Sequence, residues 1–465
     1  MLERNYYLNQ IISKMWDGNI KVITGIRRCG KSTLLFELFY DYLIKNGIQE
    51  ENIIKIELDK RKDLKFRNPI FLCEYVENII KNHKDKYYLF IDEVQLTSIS
   101  KDKESGIDVT IYDMLNELKG YKNLDCYVTG SNSKMLSTDI ATEFRGRSSQ
   151  IKVYPLSFSE LYSFKQIDKR DLLDEYMQYG GMPGLINIDN DEDKKAYLNN
   201  LYNEIYIKDL VEHGKIKRED VLDKMLDYLA SQISSLTNSS NIANSINVNS
   251  TNKIDDGLIT RYLNQLEDAF LISKAKRYDV KGKKYFDYPN KYYYCDLGLR
   301  NSRLNYRQND HGHIMENIIY NELVRLGYSV DVGMVEDRRN GSKKQKEIDF
   351  IVNQFDKRIY IQSALRMDEE GKANSELDSL KITGDFFKKL IIRNDISSTF
   401  YDDNGIMHVN LIDFLLGKIN IFWWKNIIVS NTRFFQTKIS AFDTGEGALV
   451  KTGCSIIYAY LTQIC

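Results

Sequence analysis

The sequence predicts an α/β protein: a parallel sheet with helices on both faces over residues 1–190, a helical segment closed by a hairpin over 191–300, and a small α/β domain over 301–418. Three observations predict it. Short apolar runs alternate with amphipathic stretches through the first 190 residues. Two helix-period stretches and a hairpin pattern succeed one another between 238 and 286. One helical stretch then precedes three strand-like runs between 313 and 363. Residues 419–465 fit none of these patterns.

In chain order, Lys21 to Thr24 reads as a strand and Ser32 to Lys45 as a helix; Ile53 to Leu58, Tyr87 to Ile91 and Asp125 to Thr129 read as further strands. Strands that alternate with helices make a parallel, doubly wound sheet. The Asn- and Ser-rich stretch Asn238 to Lys253 has the composition of a linker, yet Ile242, Ala243, Ile246 and Val248 recur in it at helical spacing. Thr251 to Asp268 reads as a second helix, with Ile254, Leu258, Ile259, Tyr262, Leu263 and Leu266 on one face. Leu271 to Ala275, a turn around Lys281-Gly282-Lys283, and Tyr285-Phe286 complete the order helix, turn, helix, hairpin, which is that of a winged helix. His313 to Leu326 reads as a helix, and Tyr328 to Val332, Glu347 to Val352 and Arg358 to Ser363 as strands.

With 465 residues, 43% of them hydrophobic, the chain can bury several cores. Lys and Arg number 65 against 66 acids, so total charge singles out no partner. The six cysteines (Cys29, Cys73, Cys126, Cys295, Cys454 and Cys465) form no CxxC pair, which suggests neither a zinc site nor a disulfide framework and fits a reducing cytoplasm. The charged N-terminus MLERNYYLNQIISKMWDG is no signal peptide. The most membrane-like run, Phe414 to Val429, is interrupted by Lys418, Asn420, Lys425 and Asn426 and is shorter than the ~20 apolar residues a span needs. No membrane partner is therefore expected.

The chemistry is concentrated in Gly25-Ile26-Arg27-Arg28-Cys29-Gly30-Lys31-Ser32, followed by Thr33. The run matches G-x-x-x-x-G-K-[ST], follows a strand and opens a helix, which is the context that a phosphate-binding P-loop requires. Its glycines let the backbone N–H groups face phosphate oxygens, and the helix N-terminus adds partial positive charge. Lys31 is expected on the β- and γ-phosphates of ATP, and the Ser32 hydroxyl on Mg²⁺. Tyr88-Leu89-Phe90-Ile91-Asp92-Glu93 is an apolar strand ending in two acids, a Walker B pattern. Asp92 would belong to the Mg²⁺ shell and Glu93 would orient and deprotonate the attacking water. Tyr127 to Asn132 is a third strand end, which would bring a hydroxyl or amide near the γ-phosphate. Phe144-Arg145-Gly146-Arg147, followed by Pro155 to Glu160, supplies arginines for transition-state charge.

These stretches resemble a prokaryotic family of AAA+ type ATPases with a fused C-terminal domain of unknown function. The resemblance rests on ITGIRRCGKSTLL, YLFIDEVQ, VTGSNSKML, FRGRSSQIKVYPLSFSEL and YGGMPGL, and continues through LYNEIYIKDLVEH, YLNQLEDAFLI, KYYYCDLGLRNSRL, MENIIYNELVRLGYSV, EIDFIV and YIQSA, covering residues 1 to about 418. It implies that Ser131 or Asn132 is the γ-phosphate sensor, that Arg147 is the better arginine, and that the C-terminal domain is like the PD-(D/E)XK nucleases. In that case Glu316 and Asp349 would be metal ligands. The third position reads Gln362-Ser363-Ala364, so Gln362 offers one more oxygen and Ala364 stands where a lysine belongs. A degenerate, non-cutting scaffold is expected.

Seven cations (Lys274, Lys276, Arg277, Lys281, Lys283, Lys284 and Lys291) against Asp279 and Asp287 leave a local excess of +5 on the hairpin. That excess would lie on DNA or RNA phosphates, or else solvate a hairpin that only packs. Further copies of the chain are the remaining expected partner. The function expected is ATP hydrolysis coupled to movement of the two rear segments. The alternatives left open are an ATP-switched nucleic-acid or protein-binding scaffold with negligible turnover and an ATP-dependent nuclease.

Overall fold

The computed structural model describes residues 3–422 apart from 82, 103–104, 131–147, 208–209, 212–215, 249–252, 308–309, 339–342 and 368–376. Residues Met1–Leu416 make one compact unit and Gly417–Cys465 a second, of which 417–422 are described. The atypical tail beyond 422 therefore lies outside the described residues, as do Ser131, Asn132, Arg145 and Arg147.

The first sheet has five parallel strands, β1 (Ile20–Thr24), β2 (Ile53–Glu57), β3 (Tyr87–Asp92), β4 (Leu124–Gly130) and β5 (Ser148–Lys152), in the order β2–β3–β4–β1–β5. Every residue of β1, β3 and β4 is buried, as expected of a sheet covered on both faces. One cover is made by the helices Pro69–Ile80 and Ile111–Leu118, whose Leu72, Val76, Ile80, Met114, Leu115 and Leu118 share a core with Val22, Leu89, Ile91 and Val128. Both helices start on satisfied caps: Asn68 accepts from the Ile70 N–H before Pro69, and Thr110 forms a reciprocal capping box with Asp113. The other face carries the helix that follows the P-loop sequence, continuous through Lys31–Thr33, a π-type turn Leu34–Phe39, and Tyr40–Lys45. There Phe39 packs against Phe90 and Tyr127 with ring centroids 5.6 and 4.9 Å apart. Helix α1 (Asn5–Ser13) buries Tyr7 and Ile11.

Helices α2 (Phe158–Lys165) and α3 (Lys169–Tyr179) lead out of this layer to α4 (Glu219–Ser231). Then come β6 (Leu236–Thr237), α5 (Ser239–Asn247), α6 (Asp256–Asp268), β7 (Ile272–Asp279) and β8 (Lys284–Tyr294), with β8 between β6 and β7. The linker-like composition of 238–253 thus conceals a helix that buries Ile242, Ala243 and Ile246; Val248, expected on the same face, follows it and is exposed. Helix α7 (Leu297–Arg303), α8 (His311–Arg325) and strands β9 (Ser329–Asp337), β10 (Lys344–Gln354), β11 (Lys357–Ala364), β12 (Lys388–Arg393), β13 (Phe400–Tyr401) and β14 (Met407–Asn410) follow, and a short helix, Leu411–Leu415, ends the unit.

The hairpin β7–β8 is paired along its β7 edge, so one sheet runs across residue 300. Strand β7 pairs in parallel with β9 through Val332–Arg277, Gly333–Tyr278 and Met334–Asp279, which makes one nine-stranded sheet in the order β13–β14–β12–β11–β10–β9–β7–β8–β6. Among the described residues no helix is long and apolar enough to cross a membrane.

Candidate nucleotide site and the carboxylate cluster

Strand β1 delivers the chain into the loop 25–30 at the C-terminal edge of the sheet, where an open α/β sheet binds its ligands. Only glycine fits at 25: it has φ +149° and an added Cβ would lie 2.1 Å from the Val153 carbonyl oxygen. Gly30, at φ +93°, closes the turn before the helix. The Lys31 side chain is buried and its Nζ donates to the Gly25 and Ile26 carbonyls at 3.1 and 3.0 Å, so the ammonium lies across the loop. Ile26 and Cys29 are 2% and 0% exposed and turn inward, so these two offer a phosphate only their backbone. Arg27, Arg28 and Thr33 are exposed. Arg28, at φ +62°, hydrogen-bonds with Tyr197, well beyond the first sheet.

Strand β3 brings Asp92 to the same edge. The Ser32 Oγ donates to Asp92 Oδ2 at 2.8 Å, so the two oxygens expected on Mg²⁺ are already adjacent. Burial pushes the Asp92 carboxyl up, while hydrogen bonds from Thr129 and Ser32 pull it back. A hydroxyl beside a carboxylate at a strand end is a hard-oxygen set that suits Mg²⁺. Glu93 follows in the left-handed region at φ 54°, ψ 51°, a conformation that costs a bulky residue of order 1 kcal/mol or more and tends to mark functional positions. Its carboxylate accepts from the Gln95 amide and its N–H donates to Thr129 Oγ1 at 3.2 Å. The Thr129 hydroxyl in turn donates to Asp92. Thr129 is thus the described β4 residue that ties the two acids together, two and three positions ahead of the Ser131 and Asn132 that the sequence singles out. A hydroxyl at the end of the strand paired with β3 is the signal that would have found it.

The YGGMPGL stretch acquires a place as well. A Cβ added at Gly30 would lie 3.9 Å from Pro183 Cγ, so this stretch packs on the loop. Gly181 approaches Leu156 so closely that a Cβ would lie 2.1 Å from its carbonyl oxygen, while the Gly181 N–H donates to Asp296 at 2.7 Å. Burial raises the Asp296 carboxyl to about 6 against the pull of its backbone donors.

Comparison with known proteins gives an AAA domain over residues 17–162 and a Domain of unknown function (DUF8612) over 170–310. An uncharacterized protein of Haemophilus influenzae is 32% identical over 424 residues, covering 90% of this chain and 99% of that one. The chain belongs to that protein's family. Another relative, an uncharacterized protein of Methanocaldococcus jannaschii, is 28% identical over 417 residues, covering 86% of each chain. AMPPCP-bound DnaA from Aquifex aeolicus matches at 15% identity over 56% of this chain and 85% of that one, with a TM-score of 0.28, too low to carry an argument. The loop, Asp92, Glu93 and Thr129 all fall inside the AAA domain.

The second site expected from the sequence comes together differently. Glu316 on α8 and Asp349 on β10 do converge, but the cation between them belongs to the chain. Lys291 Nζ lies 2.8 Å from Glu316, 2.6 Å from Glu347 and 3.8 Å from Asp349, and Tyr293 also donates to Glu316. Gln362 Oε1 accepts from the Asp349 N–H at 3.1 Å. Lys291 thus places an ammonium among the carboxylates that the sequence singles out. Counting Lys291 among the hairpin's surface charges is therefore also corrected: it is 3% exposed, because strand β8 turns that position toward α8. Arg277 is buried and donates to Gln345, and Lys274 pairs with Glu267, so with Lys291 three of the seven cations are engaged within the protein.

Burial alone would depress the Lys291 ammonium, but the carboxylates of Glu316, Asp349 and Glu347 outweigh it and hold the pKa above its usual value. Asp349 is pushed up to about 7, by burial first and then by the Glu316 charge. Lys291→Met should cost about 3–5 kcal/mol at pH 8, because it strands buried carboxylates without their cation. Because the folded Asp349 holds its proton more tightly than an unfolded aspartate, its ionisation opposes folding as pH rises from about 4 to 7. The loss in the variant should therefore shrink at pH 5.5. Urea denaturation at both pH values measures this; a loss independent of pH would mean that other groups are left behind.

Proposed function

We propose that this protein binds ATP with Mg²⁺ and hydrolyses it to ADP and phosphate. The observation that carries the reading is the meeting of Ser32 and Asp92 at 2.8 Å beside Lys31 and Glu93. In this reading the loop N–H groups and Lys31 hold the β- and γ-phosphates, and Ser32 and Asp92 hold Mg²⁺, whose charge offsets that developing on the phosphates. Glu93 orients the water and takes its proton, with Thr129 fixing the backbone between the two acids. Arg147 is the residue proposed to meet transition-state charge. The contacts of Pro183 and Arg28 favour coupling of turnover to the rear of the unit.

The order α4–β6–α5–α6–β7–β8 supports the winged-helix reading of the middle segment. Helix α8 with β9–β11 supports a nuclease-like scaffold, and the Lys291 cluster favours one without metal-dependent cleavage. Lys276, Lys281, Lys283 and Lys284 remain exposed at the hairpin and favour a second reading, that it contacts a polyanion.

Steady-state phosphate release, measured alone and with single- and double-stranded DNA, tests both. Turnover below one phosphate per chain over hours would favour the switched scaffold instead. Anisotropy showing no DNA binding at low salt would leave the hairpin a packing role.

A further inference from the structure

We propose that Arg4 is a positioning residue for the phosphate loop: its guanidinium sets the Cys29–Gly30 peptide so that the Gly30 N–H faces the phosphates. The inference rests on the nucleotide reading of residues 25–32. Arg4 stands 25 positions ahead of Cys29 and outside every motif in the sequence, yet its side chain is 2% exposed. Its Nη1 donates to the Cys29 carbonyl at 2.7 Å. A trans peptide carries its C=O and its N–H on opposite sides. Holding the Cys29 oxygen from the outside therefore aims the next N–H, that of Gly30, away from Arg4. The contact is close on this side too, since a Cβ at Gly30 would lie 3.4 Å from Arg4 Nη1.

The rest of the guanidinium is fixed so that it cannot swing. Nε donates to Glu160 Oε1 at 3.1 Å, and Nη2 donates to the Tyr154 carbonyl at 2.8 Å and to Glu160 Oε2 at 3.4 Å. Glu160 is itself held by the Ser157 N–H at 2.9 Å in the capping box that starts α2. Arg4 immediately precedes α1, and its guanidinium lies 4.6 Å from the Tyr7 ring centroid. The Tyr7 hydroxyl accepts from the Tyr154 N–H at 3.2 Å, closing the cage. The Pro155 to Glu160 stretch thereby anchors the arginine that reaches the loop. A lysine carries its three donors on one nitrogen and cannot span the separated Cys29, Tyr154 and Glu160 oxygens that the planar guanidinium reaches from three nitrogens.

The test is competition of ATP, ADP and adenosine against a fluorescent ATP analogue on the full chain, with thermal denaturation as the folding control. Arg4→Lys should weaken ATP and ADP by about tenfold, the size expected from losing a charge-assisted hydrogen bond, and leave adenosine unchanged. Glu160→Gln should do the same to a smaller degree by loosening the arginine. Added methylguanidinium should restore part of the ATP affinity of Arg4→Ala. If Arg4→Ala does not fold, the first two variants decide alone. Folded Arg4→Lys and Glu160→Gln proteins with wild-type affinity for ATP would overturn the role of Arg4, as would equal losses for ATP and adenosine. Failure of the wild-type chain to bind ATP would overturn the nucleotide reading itself, a result distinct from unchanged variants.

Discussion

Lys31→Ala should weaken Mg-ATP binding by two to three orders of magnitude, roughly the loss of two hydrogen bonds to charged phosphate oxygens. Lys31 has a buried stem and an ammonium that now meets the Gly25 and Ile26 carbonyls, at the distance where it would exchange them for phosphate oxygens. Alanine removes that charge and leaves a backbone that can still cradle but not neutralise. The deleted bonds are two local contacts to loop carbonyls, five and six residues back, so the fold should survive. Isothermal titration calorimetry of the variant, beside a thermal melt, separates the two effects. Wild-type affinity in a folded variant would remove Lys31 from the site.

Glu93→Gln should leave ATP affinity nearly unchanged and lower steady-state phosphate release by about 10²–10⁴-fold, the usual share of a general base. The substitution is conservative in shape. The amide that replaces the carboxylate would still accept from Gln95 through its carbonyl oxygen, and the backbone N–H that donates to Thr129 stays in place. What the variant loses is basicity alone. Turnover equal to wild type would show that another group activates the water.

What could be read from the sequence was what is local in it. The loop 25–32 carries its own glycines, its own lysine and its own helix start, so spacing suffices to recognise it. Four of the five strands of the first sheet were legible because each is a short apolar run between helical stretches; β5, Ser148–Lys152, was not, because Ile151 is its only apolar residue. Thr129 was not, because it matters only once β4 lies beside β3, a pairing that brings residues about forty apart into contact. Lys291 shows the limit best. Counted along the chain it belongs to a basic hairpin, and only the bulged pairing of β8 with β7 turns it toward Glu316, Glu347 and Asp349. Arg4 was invisible for the same reason: the hydrogen-bond partners of its side chain are 25 to 156 positions away and three of them are backbone carbonyls, which leave no mark on a sequence.

The parallel pairing of β7 with β9 decides how the polypeptide can be divided. A fragment ending at residue 300 would keep β7 but expose its Arg277–Asp279 edge, a row of open backbone donors and acceptors that invites pairing with other chains. The complementary fragment would carry Glu316, Glu347 and Asp349 without the ammonium that neutralises them. A protease that cut the chain there would thus release two pieces that aggregate or stay associated rather than two independent bodies. A separable rear half has to begin ahead of β6, at a point where the nine strands remain together.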